Sequence, residues 1–354
     1  MPFARNTVHR PENGATIDFH FLKILLLYLK VRLPRFREIC LKKMAIPKKG
    51  SIVLLLSALY GVIPAAAQQP EIKLDIYHSP ASKYQAPPDS SKKKGTSSQQ
   101  EINLSGKLPL FLRIDTSSGK IRSLGASGHL RYTHFNNTDY TRQILPVNLF
   151  ASALGINYYS TLKRNWAYTL FINAGVNTDF REVDFNDVFL TGGVVFLKQF
   201  SKSFRLGVGV IVHNQFGTPM VWPALTADWK FGRKFKLDIR VPDEAQGIAY
   251  KIGIAYQLKK QLTAEFAFRP QAVSYDVTAT RAIPNRLMNY WQLPFELNLQ
   301  QQHGRIGWTG GVGFTALRSF AYSEKKLEKM FTSYPYHGLS SNWFVHAGIN
   351  WRLK

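Results

Sequence analysis

The sequence predicts an all-β protein: a transmembrane antiparallel up-and-down β-barrel of about 14 strands, following an N-terminal signal peptide. Three observations predict it. Apolar and polar residues alternate with period two over most of 102–354, the pattern of a strand with one greasy and one wet face. The alternating stretches run roughly 10–15 residues, the length a tilted strand needs to cross a bilayer, whereas sandwich strands are nearer 5–6. The connections between them fall into tight turns and longer loops, as at the two ends of an outer-membrane barrel.

The first 67 residues stand apart. Lys48 and Lys49 precede the apolar run 52–63, and Ala65-Ala66-Ala67 supplies a small-residue cleavage site before Gln68. That is the layout of a secretory signal peptide over 44–67 cut between Ala67 and Gln68. The apolar run is too short to span a membrane, which takes about 20 residues. Residues 1–43 then read as an upstream over-extension ahead of Met44, the alternative being a basic amphipathic surface helix over 19–33. The one cysteine, Cys40, lies in this leader, so the mature chain has no disulfide framework and no Cys-based zinc site.

After the leader come residues 68–101, an N-terminal strand and a polar loop, and then the barrel over 102–354. Fourteen stretches qualify as strands: 71–78, 102–114, 121–135, 147–163, 166–180, 188–200, 204–216, 220–231, 234–242, 246–258, 261–275, 289–301, 305–320 and 342–353. The first has the weakest alternation, and twelve is the alternative count. The clearest are 205–213, 236–241, 251–258, 262–269 and 295–300, where every second residue is apolar. Tight turns are read at 164–165, 201–203, 232–233, 259–260 and 302–304. Long loops are read at 79–101, 136–146, 181–187, 276–288 and 321–341, the first of them polar, Pro/Ser/Lys-rich and mobile. An even strand count returns both termini to the tight-turn end.

Trp166, Trp229, Trp308 and Trp351 lie near tight turns, and Trp222, Trp291 and Trp343 near the long loops. Most fall in the outward phase, as in the two aromatic girdles of a membrane barrel. Pro109, Pro223, Pro270 and Pro294 fall inside strands, where each removes a ladder donor and calls for a bulge or a frayed pair.

With the strands laid out, 216–251 (FGTPMVWPALTADWKFGRKFKLDIRVPDEAQGIAYK) shows a pattern of its own: a Pro-x-Leu-x-x-x-Trp strand, a tight basic turn, and a strand ending Val-Pro. Together with GKLPLFLRID at 106–115 and the hairpin 290–323, it resembles a domain-of-unknown-function family of Gram-negative outer-membrane β-barrels. The likeness covers roughly 100–354. It implies a barrel in the cell outer membrane and says little of activity.

The inward phase carries the candidate site residues: Arg205, Asp228, Lys230, Lys236, Asp238, Arg240, Lys251, Glu265, Arg269 and Glu296. Asp228-x-Lys230 and Lys236-x-Asp238-x-Arg240 flank one tight turn, so a ladder of opposite charges across the inner wall is expected. Two readings stay open. The charges pair and fill the lumen, or they form a cation-rich constriction for small anionic solutes.

Enzyme readings do poorly. The chain has no Gly-x-Ser-x-Gly elbow, P-loop or His-Glu-x-x-His, and no cofactor is expected. Ser127, His129, His134, Asp139 and His213 form no recognisable spacing, and a metal site at His337 and His346 is weaker still. The net charge of +24 points at first to polyanions. Residues 1–67 hold 11 basic and 3 acidic residues, so the mature chain carries +16, scattered over turns, loops and lumen positions. That is a poor footprint for nucleic acid. Outer-membrane lipid and small anionic solutes are the expected partners, passage of small solutes the expected role, and a non-conducting scaffold or surface-interaction barrel the alternative.

Overall fold

The structure, a computed structural model, describes residues 69–87, 93–117, 119–242, 247–283, 285–326, 328 and 332–353. The segment 1–43, the signal peptide predicted over 44–67 and its predicted Ala67–Gln68 cleavage point lie outside the described residues.

Fourteen strands form one closed antiparallel barrel. They are β1 (Glu71–Gln85), β2 (Gly95–Asp115), β3 (Lys120–Asp139), β4 (Asn148–Thr161), β5 (Trp166–Thr178), β6 (Val188–Ser201), β7 (Phe204–His213), β8 (Met220–Phe231) and β9 (Phe235–Val241). β10 comes in two pieces, Ile248–Ala249 and Lys251–Lys259, as does β11, Leu262–Phe268 and Gln271–Asp276. β12 (Leu287–His303) and β13 (Ile306–Ser323) follow, and β14 is again split, Tyr336–Leu339 and Asn342–Arg352. Each strand pairs with the next in the chain, and β14 pairs back onto β1 from Glu71↔Arg352 to His78↔Val345. Closure leaves no unpaired edge, which lipid does not tolerate.

The 14-strand barrel predicted from alternation is therefore present, and the first strand is longer than its sequence pattern suggested. The polar stretch 79–101 is not one long loop: β1 continues to Gln85 and β2 starts at Gly95. Ser82↔Ser97 and Lys83↔Thr96 pair across it after a bulge. Polar composition misled here because these side chains lie above the lipid, where a strand needs no greasy face. β3 likewise runs to Asp139 and β13 to Ser323.

The outer surface follows the pleat. Along β4, Leu154 and Ile156 point out and are 74% and 50% exposed, while the intervening Ala153 and Gly155 face inward. Similar exposed residues recur around the wall, among them Ile172, Val208, Ile254, Phe266, Leu297 and Val312. Uncovered apolar residues in such numbers around a closed wall mark a lipid-facing band. Six of the seven tryptophans are exposed on it. Trp222 is the exception: it lies opposite Ile211 on the inward phase and packs near His213, with ring centroids 6.1 Å apart. Leu154→Arg, near the middle of its strand, should cost about 2–4 kcal/mol of barrel stability, read from urea midpoints of refolding into bilayers. A change below a few tenths would mean that Leu154 does not meet hydrocarbon.

The prolines sit where the ladder is broken. Pro109 and Pro294 stand at register shifts of β2 and β12, and Pro270 lies in the gap of β11. Pro223 alone stays in register, opposite Val210. Above Pro270 the 271–276 piece of β11 reaches the far wall. Asp276 pairs in parallel with Thr178 of β5, and Asn177 Nδ2 donates to the Ser274 carbonyl at 2.9 Å. The barrel is thus pinched at its long-loop end.

Candidate functional site in the lumen

All ten predicted charged residues fall on the inward phase, and the register joins most of them into one network. Arg205 on β7 lies 2.5 Å from Asp228 on β8, whose other oxygen is 2.8 Å from Lys236 on β9. Asp238 is met by Arg240 at 3.0 Å and by Lys251 on β10 at 3.2 Å. Lys251 also reaches Glu265 on β11 at 2.7 Å. Arg269 bridges Glu265 and Glu296 on β12, and Asn298 Nδ2 donates to Glu296 at 2.9 Å. His346 on β14, 2.5 Å from Asn298, ends the chain of contacts. Lys230 is placed apart: it is exposed near the tight turn and, among the described residues, is in no ion pair.

Opposite charges do pair across neighbouring strands, as Asp228 with Lys236 and Arg205, but diagonally where β8 meets β9. The register sets Asp228 opposite Asp238 and Lys230 opposite Lys236. Like charges directly opposite repel, so each carboxylate finds its cation diagonally or one strand further on. The turn after Phe231, which pairs Phe231 with Phe235, fixes this register. Glycines make room for the long side chains. A Cβ on Gly311 would stand 2.3 Å from Asn298 Oδ1 and 2.4 Å from His346 Nε2. One on Gly253 would crowd both Lys251 and Glu265.

The middle of this network is dry. Asp238, Lys251, Glu265 and Glu296 are 4–7% exposed. Charges this far from water must be paired or they unfold the wall. Toward the tight-turn end the inner face is wet: Lys107, Asn157, Lys230 and Gln300 all face inward and are exposed.

Sequence reasoning missed a second inward group, higher in the lumen. Arg131 lies 3.6 Å from Glu101, both buried. Arg318, 1% exposed, donates to Ser82 Oγ at 3.0 Å, to Gln99 Oε1 at 2.9 Å and to the Tyr290 hydroxyl at 3.3 Å. Among the described residues no carboxylate is within ion-pair distance of it. The alternation in β13 hides it, because the register slips between the Pro294↔Thr315 and Gln292↔Arg318 pairs. Read in the unbroken phase of 306–315, Arg318 points at lipid.

Above Arg318 the lumen is closed by apolar side chains. Phe135, Leu149, Tyr275, Met288, Phe320 and Tyr322 form a buried cluster with Ile144 and Leu145 from the β3–β4 loop and Val277 and Ile283 from the β11–β12 loop. A short helix α1 (Thr141–Ile144) carries the first loop inward. Phe135 and Tyr290 meet edge to face at 5.8 Å, and the Tyr322 hydroxyl donates to the Ile144 carbonyl. Asp179, after β5, accepts from the Thr278 backbone N–H at 3.1 Å. The segments 136–146 and 276–288, read from the sequence as long loops, thus fold over the mouth. Their apolar residues are too few and irregular for a period, which is why they read as loops.

A smaller acidic group lies at the same end. Asp184 caps the 3-10 turn Phe185–Asp187, and the Asn186 N–H, aided by Arg286 nearby, holds its carboxyl below the usual range. Burial pushes the neighbouring Asp187 carboxyl up.

The candidate enzyme residues are not brought together. Ser127 and His129 face inward on β3, whereas His134 is in the opposite phase and lies 2.8 Å from Asn148. His213 is buried beside Trp222. His337 is 2.7 Å from the Tyr84 hydroxyl and His346 has Asn298, so the two histidines serve different neighbours.

The chain belongs to the family described as a domain of unknown function (DUF6268), which matches residues 63–352. No curated protein sequence matches it. Among solved structures it is similar to an outer membrane channel from Pseudomonas putida F1, at 11% identity and TM-score 0.42, over 82% of this chain and all of that one. A deletion mutant of the monoaromatic hydrocarbon channel TodX aligns at 9% identity and TM-score 0.44, over 84% and 94% of the two chains. A Pseudomonas aeruginosa FadL homologue aligns at 8% identity and TM-score 0.39, over 81% and 91%.

Proposed function

We propose that this protein is a non-enzymatic barrel of the cell outer membrane that lets small solutes pass, with its outer mouth closed at rest by its own loops. The observation that carries this reading is the contrast along the inner wall. The tight-turn half is polar and water-exposed, and the apolar closure above it is completed by Ile144, Leu145, Val277 and Ile283, from loops whose movement would leave the strand ladder unbroken. A barrel meant only as a solid wall has no need of a wet half-lumen. Width is compatible: eight strands are filled by side chains and sixteen or more leave an aqueous channel, and fourteen lies between, where loops decide.

A second reading, a non-conducting barrel serving as a scaffold or surface-interaction protein, is favoured by the dry stretch from Asp238 to Glu296, which spans several strands at mid-height. Purified full-length chain in planar bilayers separates the two. Brief, discrete conductance steps are expected for the gated channel. Silence under all voltages, with heat-modifiable migration on a gel showing the barrel intact, would favour the scaffold.

A further inference from the structure

We infer that the outer mouth carries a binding site for a phosphorylated saccharide, in the cavity between the loops above the apolar cluster. The cavity holds about 590 Å³. Four cations from four different connections line it: Lys93 before β2, Arg142 after β3, Arg181 after β5 and Arg281 after β11. Among the described residues none of the four is in an ion pair. The one carboxylate on the wall, Asp179, is turned into the loops. Its two oxygens accept from the backbone N–H groups of Arg181 and Thr278, at 3.1 Å each, and from the Thr278 hydroxyl at 3.3 Å. The cavity therefore faces a guest with three arginines, one lysine and no free acid.

Two of the cations are held in place. Arg142 Nε donates to the Asn137 carbonyl at 3.0 Å, which aims the rest of its guanidinium. Lys93 donates to the Tyr140 hydroxyl at 3.0 Å and sits 4.3 Å from that ring's centre. Arginine forks match phosphate oxygens two at a time, and a phosphate monoester brings close to two negative charges where a carboxylate brings one. Four cations around one cavity fit a guest with more than one such group. Gln143 and Thr280 add neutral hydrogen-bonding groups suited to hydroxyls, and Leu145, Pro146 and Ile283 give an apolar floor for a sugar's C–H face. The volume admits a mono- or disaccharide with its phosphates.

The assignment rests on the barrel reading only in that this end of the molecule must face the medium or the outer leaflet. It does not require passage through the lumen. The guest's source is either a soluble sugar phosphate or the phosphorylated headgroup of lipid A. The test uses the purified full-length barrel in detergent, titrated calorimetrically with glucose 1,6-bisphosphate and with glucose, and a flotation assay on vesicles with intact or dephosphorylated lipid A. Saturable 1:1 binding of the bisphosphate, absent for glucose, identifies a soluble guest. Phosphate-dependent flotation without soluble binding identifies the lipid. In either case Arg142→Gln, Arg181→Gln and Arg281→Gln should each weaken binding on the order of tenfold, with unchanged heat-modifiable migration. Binding of neither probe, equal binding of glucose, or variants that bind as the parent does overturn the assignment. Conductance is not part of the readout, so a silent barrel that binds the bisphosphate leaves this inference standing while the transport reading falls.

Discussion

Lys251→Met should destabilise the barrel by about 3–5 kcal/mol, the cost of leaving buried charge unpaired. Its Nζ stands between Asp238 at 3.2 Å and Glu265 at 2.7 Å, and all three side chains are nearly dry. Methionine matches the stem's volume, so the loss comes from charge and not from a cavity. Asp238 keeps Arg240 at 3.0 Å, but Glu265 is left with Arg269 at 3.7 Å and a 3.3 Å hydrogen bond from Gln300. The measurement is urea unfolding from lipid or detergent followed by tryptophan fluorescence and by gel migration without boiling. A companion variant, Asp238→Asn with Lys251→Met and Glu265→Gln, removes charge from both sides and should recover most of the loss, because a buried pair adds little over neutral groups of similar shape. If Lys251→Met unfolds at the parent's urea concentration, water reaches this height of the lumen and the block lies elsewhere.

The fold was legible because a membrane barrel writes its geometry into alternation. Outward residues such as Leu154, Ile156 and Trp351 are apolar because they face lipid, and the residues between them need not be. Three things were not legible, each for a physical reason. Alternation stops carrying information above the lipid, so the paired ends of β1 and β2 around Ser82 and Ser97 looked like a loop. A bulge inverts the phase without a sequence mark of its own, so Arg318 was assigned no role although it is among the most buried side chains. Register across a turn depends on how many residues close it, so the spacing around 228–240 pointed to a ladder of opposite charges without showing that its pairs are diagonal. The closure of the mouth was hidden altogether. It depends on contacts between loops far apart in sequence, such as Ile144 with Tyr322, and no local pattern encodes those.

Those same loop contacts give the largest functional effect to be expected. Ile144 and Leu145, 1% and 2% exposed, anchor the β3–β4 loop in the apolar cluster. Replacing both, Ile144→Asp with Leu145→Asp, puts two carboxylates where none can be solvated while the loop stays docked. The cost of keeping each in place is several kcal/mol, or its pKa must rise by units. The loop has a cheaper choice, because its covalent joins to the barrel are at Asp139 and Asn148 and its other ties to the rim are a few hydrogen bonds, such as Thr141 Oγ1 to the Thr96 carbonyl at 2.8 Å. It swings out, both carboxylates reach water, and the strand ladder from β3 to β4 is untouched. A bias of about 3 kcal/mol shifts an open-to-closed ratio more than a hundredfold, since 1.4 kcal/mol is tenfold. The variant should therefore show long-lived conductance, and proteoliposomes bearing it should swell in neutral sugars at a rate the parent does not approach. The β11–β12 loop offers an independent check: Ile283→Asp acts on the other half of the same cluster and should move conductance the same way. A double variant that migrates as an intact barrel and conducts no more than the parent would place the seal at the dry charges between Asp238 and Glu296. In that case the lumen is closed by its own wall, no loop movement opens it, and the scaffold reading takes precedence over passage.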